Sequence, residues 1–169
     1  MPKLTLLAIA MLVMAQAACA DISIRFENAE HYTDLALSGA ATPRVQADLL
    51  QQFEAHFRKL AGQYLPAGDS LDLAVEDIDM AGAFEPWQTP NATNTRFIRD
   101  LYYPRIKLNY RWYGPDGQIK AEKQEQISDL NYLMLQDSAR YPNNDPLRYE
   151  KAMLDRWFAR EFGGNGVAE

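Results

Sequence analysis

From residue 105 to residue 112 polar and apolar side chains alternate strictly: Arg105, Lys107, Asn109 and Arg111 against Ile106, Leu108, Tyr110 and Trp112. Successive strand side chains point to opposite faces, so such a segment can be buried on one side only. The same alternation sets Ile22, Ile24 and Phe26 against Ser23, Arg25 and Glu27, and Leu71, Leu73 and Val75 against Asp72, Ala74 and Glu76. A sheet covered on both faces would read as apolar throughout. This one must be covered once. Its outer face is expected to carry Ser23, Arg25, Glu27, Asp72, Glu76, Arg105, Lys107, Asn109 and Arg111.

Two helices supply the cover. Thr42-Pro43 opens the first, Thr as N-cap and Pro in the first turn, and Val45, Leu49, Phe53, Phe57, Leu60 and Tyr64 follow on one stripe. Residues 65–69 (LPAGD) stop it. Asp145-Pro146 caps the second, which carries Leu147, Met153, Leu154, Trp157, Phe158 and Phe162 and ends at Gly163-Gly164. Gly114-Pro115-Asp116-Gly117 suits a hairpin connection. Residues 118–128 then return as a fourth strand, polar on both sides beyond Ala121, as an edge strand is. The expected fold is α+β: a two-layer sandwich with a four-stranded mixed sheet and two helices packed on one face, in the order β-α-β-β-β-α.

Residues 1–20 predict an address. Lys3 is followed by an apolar run from Leu4 to Met14, too short to span a bilayer, and Ala18-Cys19-Ala20 fits the small-x-small rule for signal-peptide cleavage. A single globular domain, residues 21–169, is then expected in the periplasm or secreted. A second reading makes Cys19 a lipid-anchored cysteine, although Gln16 stands where such signals normally have Leu. On the first reading the mature chain has no cysteine, and disulfides, Cys-ligated metals and thiol nucleophiles fall away. The net charge of −6 includes Lys3, which excludes a uniformly basic nucleic-acid footprint. No later apolar run reaches membrane-spanning length.

Catalytic motifs are missing. There is no Gly-x-Ser-x-Gly elbow, no Ser-x-x-Lys and no phosphate loop. The densest carboxylates, Glu76, Asp77, Asp79 and Glu85, lack the spacing of a calcium loop and read first as a strand end entering solvent. The two histidines, His31 and His56, cannot furnish a His-ligated zinc site. His56 reads as a residue flanking the apolar stripe. No metal and no cofactor is expected. Asn91-Ala92-Thr93 matches a glycosylation sequon, read here as chance.

Residues 80–103 form a connection longer than compact domains usually contain, which points to a binding loop. Within it Phe84, Glu85, Trp87, Arg96, Arg99, Asp100 and Tyr102 are the candidate binding residues, since aromatic and Arg side chains favour contact surfaces. The competing reading folds the loop back to plug an end of the core. Residues 129–144, with Tyr132, Met134, Tyr141 and Asn143, offer a second wall.

The stretches 26–34 (FENAEHYTD), 65–68 (LPAG), 77–87 (DIDMAGAFEPW), 103–108 (YPRIKL) and 145–154 (DPLRYEKAML), running on to Trp157 and Phe158, resemble a family of exported bacterial proteins known as domain of unknown function 3016. The resemblance implies export and a single domain, and it names no catalyst. The functional expectation is a non-catalytic binding or envelope-accessory protein whose partner is an envelope protein or a small-molecule or lipid ligand. The alternative is a periplasmic hydrolase using Asp77, Asp79 or Glu85 with His31.

Overall fold

The computed structural model describes residues 20–39, 42–87 and 94–164. Residues 1–19, which hold Cys19 and all of the expected signal peptide but Ala20, and the Asn91-Ala92-Thr93 sequon lie outside them. Strand β1 (Asp21–Phe26) is followed by helix α1 (Pro43–Tyr64) and strand β2 (Ser70–Asp79). Two short strands, β3 (Ala83–Phe84) and β4 (Arg96–Phe97), pair with each other inside the long connection. Then come β5 (Arg105–Tyr113), β6 (Ile119–Ser128) and helix α2 (Arg148–Phe162). The main sheet runs β1-β2-β5-β6, with β1 parallel to β2 and the other pairs antiparallel. The expected α+β sandwich is present; the β3–β4 ribbon is an addition the sequence did not signal.

One apolar face is covered. Ile22, Leu71, Leu73, Val75, Ile78, Ile106, Leu108, Tyr110 and Ile127 form a single cluster with Leu49, Phe53, Phe57 and Leu60 of α1 and with Leu154, Trp157, Phe158 and Phe162 of α2. Trp157 is fully buried, edge-on to Tyr110 at 5.9 Å and to Phe162 at 5.5 Å. Its indole N–H reaches the Glu125 Oε2 at 2.7 Å, which lets β6 carry an acid on its inner side. Lys123, also on β6, reaches Glu161 of α2. The polar edge strand is thus satisfied from the helix layer.

Caps follow sequence with one displacement. Thr42 Oγ1 accepts the amide of Val45 at 3.3 Å, as the N-cap of α1. In α2 the N-cap position belongs to Leu147, and helical geometry starts at Arg148. Asp145 acts two residues earlier, accepting the Leu147 amide at 2.9 Å and pairing with Lys151 at 2.7 Å.

The acidic stretch after Val75 is not a strand end leaving the sheet. Strand β2 continues to Asp79, with a bulge between Val75 and Asp77. The extra residue restores the inward phase, so that Ile78 pairs with Ile106 in the core, while Asp77 and Asp79 stand opposite Lys107 and Arg105 on the outer face. Tyr32 braces the bulge, its hydroxyl donating to the Val75 carbonyl at 2.8 Å.

Truncating the largest fully buried aromatic tests this packing. Trp157→Ala should lower unfolding free energy by about 3–5 kcal/mol, read from urea denaturation by circular dichroism. A loss below about 1 kcal/mol, the range of a surface change, would contradict the central place given to Trp157.

Candidate functional site

The end of the molecule beyond β2 is organised by one guanidinium. Arg96, on β4, is mostly buried and uses every N–H it has. Nε donates to the Ala81 carbonyl at 2.7 Å; Nη1 donates to the Ala36 carbonyl at 3.0 Å; Nη2 donates to the carbonyls of Met80 at 2.9 Å and Gly82 at 3.0 Å. Asp34 supplies the counter-charge at 2.8 Å. Burial raises the Asp34 carboxyl above its ordinary range, against the pull of Arg96. Phe84 lies under the guanidinium, 5.1 Å from ring centroid to Cζ. Three chain segments, 34–36, 80–82 and β4, are therefore tied at one point.

Gly82 is needed where it stands. Its φ is +82°, and a Cβ there would sit 2.7 Å from the Phe97 carbonyl oxygen. Its amide donates to the Tyr102 carbonyl at 2.8 Å, which returns the loop toward β5.

A second node lies further out. Glu85 is buried, with Oε2 accepting from Arg99 at 2.7 Å and Oε1 accepting the Tyr102 hydroxyl at 2.9 Å. That hydrogen bond raises the Tyr102 phenol above its usual range. The Arg99 carbonyl accepts the hydroxyl of Tyr132 at 2.6 Å, and burial pushes the Tyr132 phenol up to about 12. Tyr132 joins the segment 129–144 to this loop. The two expected walls do meet.

The candidate residues divide accordingly. Phe84, Glu85, Arg96 and Tyr102 brace the loop, and Arg99 braces it while keeping 42 % of its side chain exposed. Asp100 is exposed and accepts the Leu101 amide. Trp87 is 71 % exposed. The loop folds back through the β3–β4 pair, but none of its aromatics joins the core cluster as the competing reading had it, and it raises an apolar surface. Seven of the nine large apolar side chains exposed among the described residues lie here: Trp87, Ile98, Leu101, Leu130, Leu133, Met134 and Leu135. Sequence reasoning passed over the leucines, whose exposure depends on Tyr132 turning inward in their place.

The carboxylates of the hydrolase alternative are otherwise engaged. Asp77 accepts the amide and hydroxyl of Thr33, each at 2.7 Å; Asp79 accepts Arg105 Nε at 2.9 Å; Glu85 is held by Arg99 and Tyr102. The His31 side chain is 80 % exposed and within ion-pair range of Glu30 alone among the described residues. No group of three His, Cys, Asp or Glu side chains among the described residues is arranged to hold a metal ion. His56 departs from expectation: it is buried between the helices, its Nε2 3.0 Å from Asp155 Oδ1.

One further acid supports the tip from within. Glu150, in the first turn of α2, is fully buried; Oε1 accepts the Ala81 amide at 2.7 Å and Oε2 has no hydrogen-bond partner among the described residues. Ala81 thus binds Glu150 through its N–H and Arg96 through its C=O. Burial pushes the Glu150 carboxyl up to about 7.

The family model described as Protein of unknown function (DUF3016) matches residues 20–160, and the chain belongs to that family. No curated protein and no solved structure matches it.

Two measurements check the two buried charges. Arg96→Met should destabilise the domain by about 3–5 kcal/mol, since it strands Asp34 and several carbonyls; an unchanged urea midpoint would refute the clamp. For Glu150 the folded form holds its proton at pH values where the unfolded chain has released it. Stability should therefore fall as pH rises from about 4.5 to about 7, by on the order of 3 kcal/mol, and stay low above that. Glu150→Gln should flatten this slope and raise stability at pH 8; a slope that survives the substitution would assign it to another group.

Proposed function

We propose that this chain is an exported, non-catalytic binding protein of the bacterial envelope that holds another envelope protein through the braced apolar tip. The supporting observation is the concentration of exposed Trp87, Leu101, Leu130 and Met134 around the Arg99–Tyr132 junction. Monomer surfaces seldom gather apolar side chains this way without a partner. The bracing matters equally, because a face held rigid before binding avoids the ordering cost of a loose loop. Export is supported by the leader-like composition of residues 1–20, and β1 begins at Asp21, the first residue expected after cleavage. Lipid attachment at Cys19 would tether the same domain to the membrane. No described helix is long and apolar enough to cross a membrane.

The hydrolase alternative gains nothing from the geometry, since Asp77, Asp79 and Glu85 are already bonded and none of them contacts His31.

Site-specific photo-cross-linking in cells tests the reading. A benzophenone side chain at Leu101 or at Met134 should capture the same protein, while one at Lys107 on the outer sheet face should not. Met134→Glu with Leu101→Glu should abolish capture from Trp87 and leave the thermal midpoint unchanged. Capture that is absent from the tip, or equal at all three positions, would overturn the assignment.

A further inference from the structure

We propose a second binding site, independent of the apolar tip: a groove between α1 and residues 140–141 that takes a small organic anion, a carboxylate or phosphate bearing an apolar group. Two adjoining hollows, of about 300 Å³ and about 210 Å³, share Lys59 and Tyr141 in their walls. Ala55, Lys59 and Gln63 follow one another along α1 at intervals of four, so they stand in a row on one rim. Arg140 and Tyr141 form the facing rim.

The aromatic wall is fixed in place. The Tyr141 hydroxyl donates to Asp155 Oδ2 at 2.7 Å, and its ring stands edge-on to His56 at 5.9 Å. The cations around it are unequal. Lys151 is neutralised by Asp145 at 2.7 Å. Lys59 and Arg140 make no hydrogen bond and no ion pair within 4 Å among the described residues, and both line the smaller hollow. Asp155, the acid in that hollow, has both oxygens occupied, Oδ1 by His56 and Oδ2 by Tyr141. Lys59 acts on Asp155 electrostatically, beyond ion-pair range, and keeps its hydrogen-bond donors unspent among the described residues.

Net charge is −6, and nine of the sixteen described Lys and Arg side chains sit within 4 Å of a carboxylate, while Lys59 and Arg140 are among the seven that do not. Two cations with unspent donors, lining one open groove next to a held aromatic ring, meet both halves of an amphipathic anion. The anionic group accepts charge-assisted hydrogen bonds from Lys59 and Arg140. The apolar group lies against Tyr141 and Ala55 in the neighbouring hollow, where its area leaves water. Inorganic phosphate would satisfy only the first half and a neutral aryl alcohol only the second.

Amide-resolved NMR titration of the full mature domain decides the matter, with benzoate and phenyl phosphate as probes. Inorganic phosphate and benzyl alcohol are the controls. Both aryl anions should shift the amides of residues 52–64 and 140–141 saturably, and the tighter of the two identifies the anionic group preferred. Each control should bind at least about tenfold more weakly. Lys59→Gln with Arg140→Gln should weaken the aryl anions by about tenfold or more, with an unchanged thermal midpoint, since both side chains are exposed. Lys107→Gln, on the outer sheet face, should change nothing. Shifts that fail to saturate, that centre elsewhere, or that persist in the double variant would overturn the proposal. None of these outcomes bears on the tip, which uses different residues and a different assay.

Discussion

A sheet with one apolar face admits a single covering layer, and every other arrangement in this molecule follows from where that layer runs out. Helices α1 and α2 fill the inner side, joined through Phe57, Phe158 and the buried His56–Asp155 pair. Strand β2 extends past them. Ile78 and Met80 still reach the core and Glu150 of α2 holds Ala81, but the loop beyond needs a further source of order. Arg96 provides it with hydrogen bonds in place of apolar packing. A guanidinium that reaches four carbonyls and a carboxylate ties together segments too short to form a core of their own.

The consequence is a tip that is rigid for polar reasons and sticky for apolar ones. Arg96, Glu85, Tyr102 and Tyr132 turn inward to satisfy backbone groups or each other, and the side chains between them are left facing water. Ile98 and Leu101 flank Arg99; Leu130 and Leu133 flank Tyr132. Polar residues inside and apolar residues outside invert the ordinary pattern, and the inversion leaves this end with exposed apolar side chains. Glu150 extends the same logic into α2. Through Ala81 it couples the first turn of that helix to the clamp, so protonation of a buried carboxyl and the seating of the tip share one residue.

The layered fold was legible because it rests on periodicity. Alternation along residues 105–112 and the three-and-four spacing of Leu49, Phe53, Phe57 and Leu60 each report a local geometry, and local geometry is what consecutive residues encode. The bulge after Val75 was less visible: a run of Glu76, Asp77 and Asp79 looks the same whether a strand ends or slips by one residue. Only Ile78, an isolated apolar residue among acids, hints at a return to the core. His56 escaped for a related reason, since a histidine at the border of a stripe is buried or exposed according to the partner helix that arrives.

The candidate site shows the division most sharply. Sequence by itself determined that residues 80–103 hold aromatics and arginines in a long connection, that the sheet is mixed and one-sided, and that the chain begins with a leader-like segment. Tertiary structure alone decided which of those side chains face inward. Arg96 and Trp87 are equal candidates by composition, yet one is locked in a carbonyl cradle and the other is 71 % exposed. Asp34 and Ala36, which help to lock Arg96, lie 62 and 60 residues away, and the Tyr132 hydroxyl that holds the Arg99 carbonyl comes from 33 residues away. Hydrogen bonds across such separations depend on how strands and loops are brought together in space, and no period in the sequence records it.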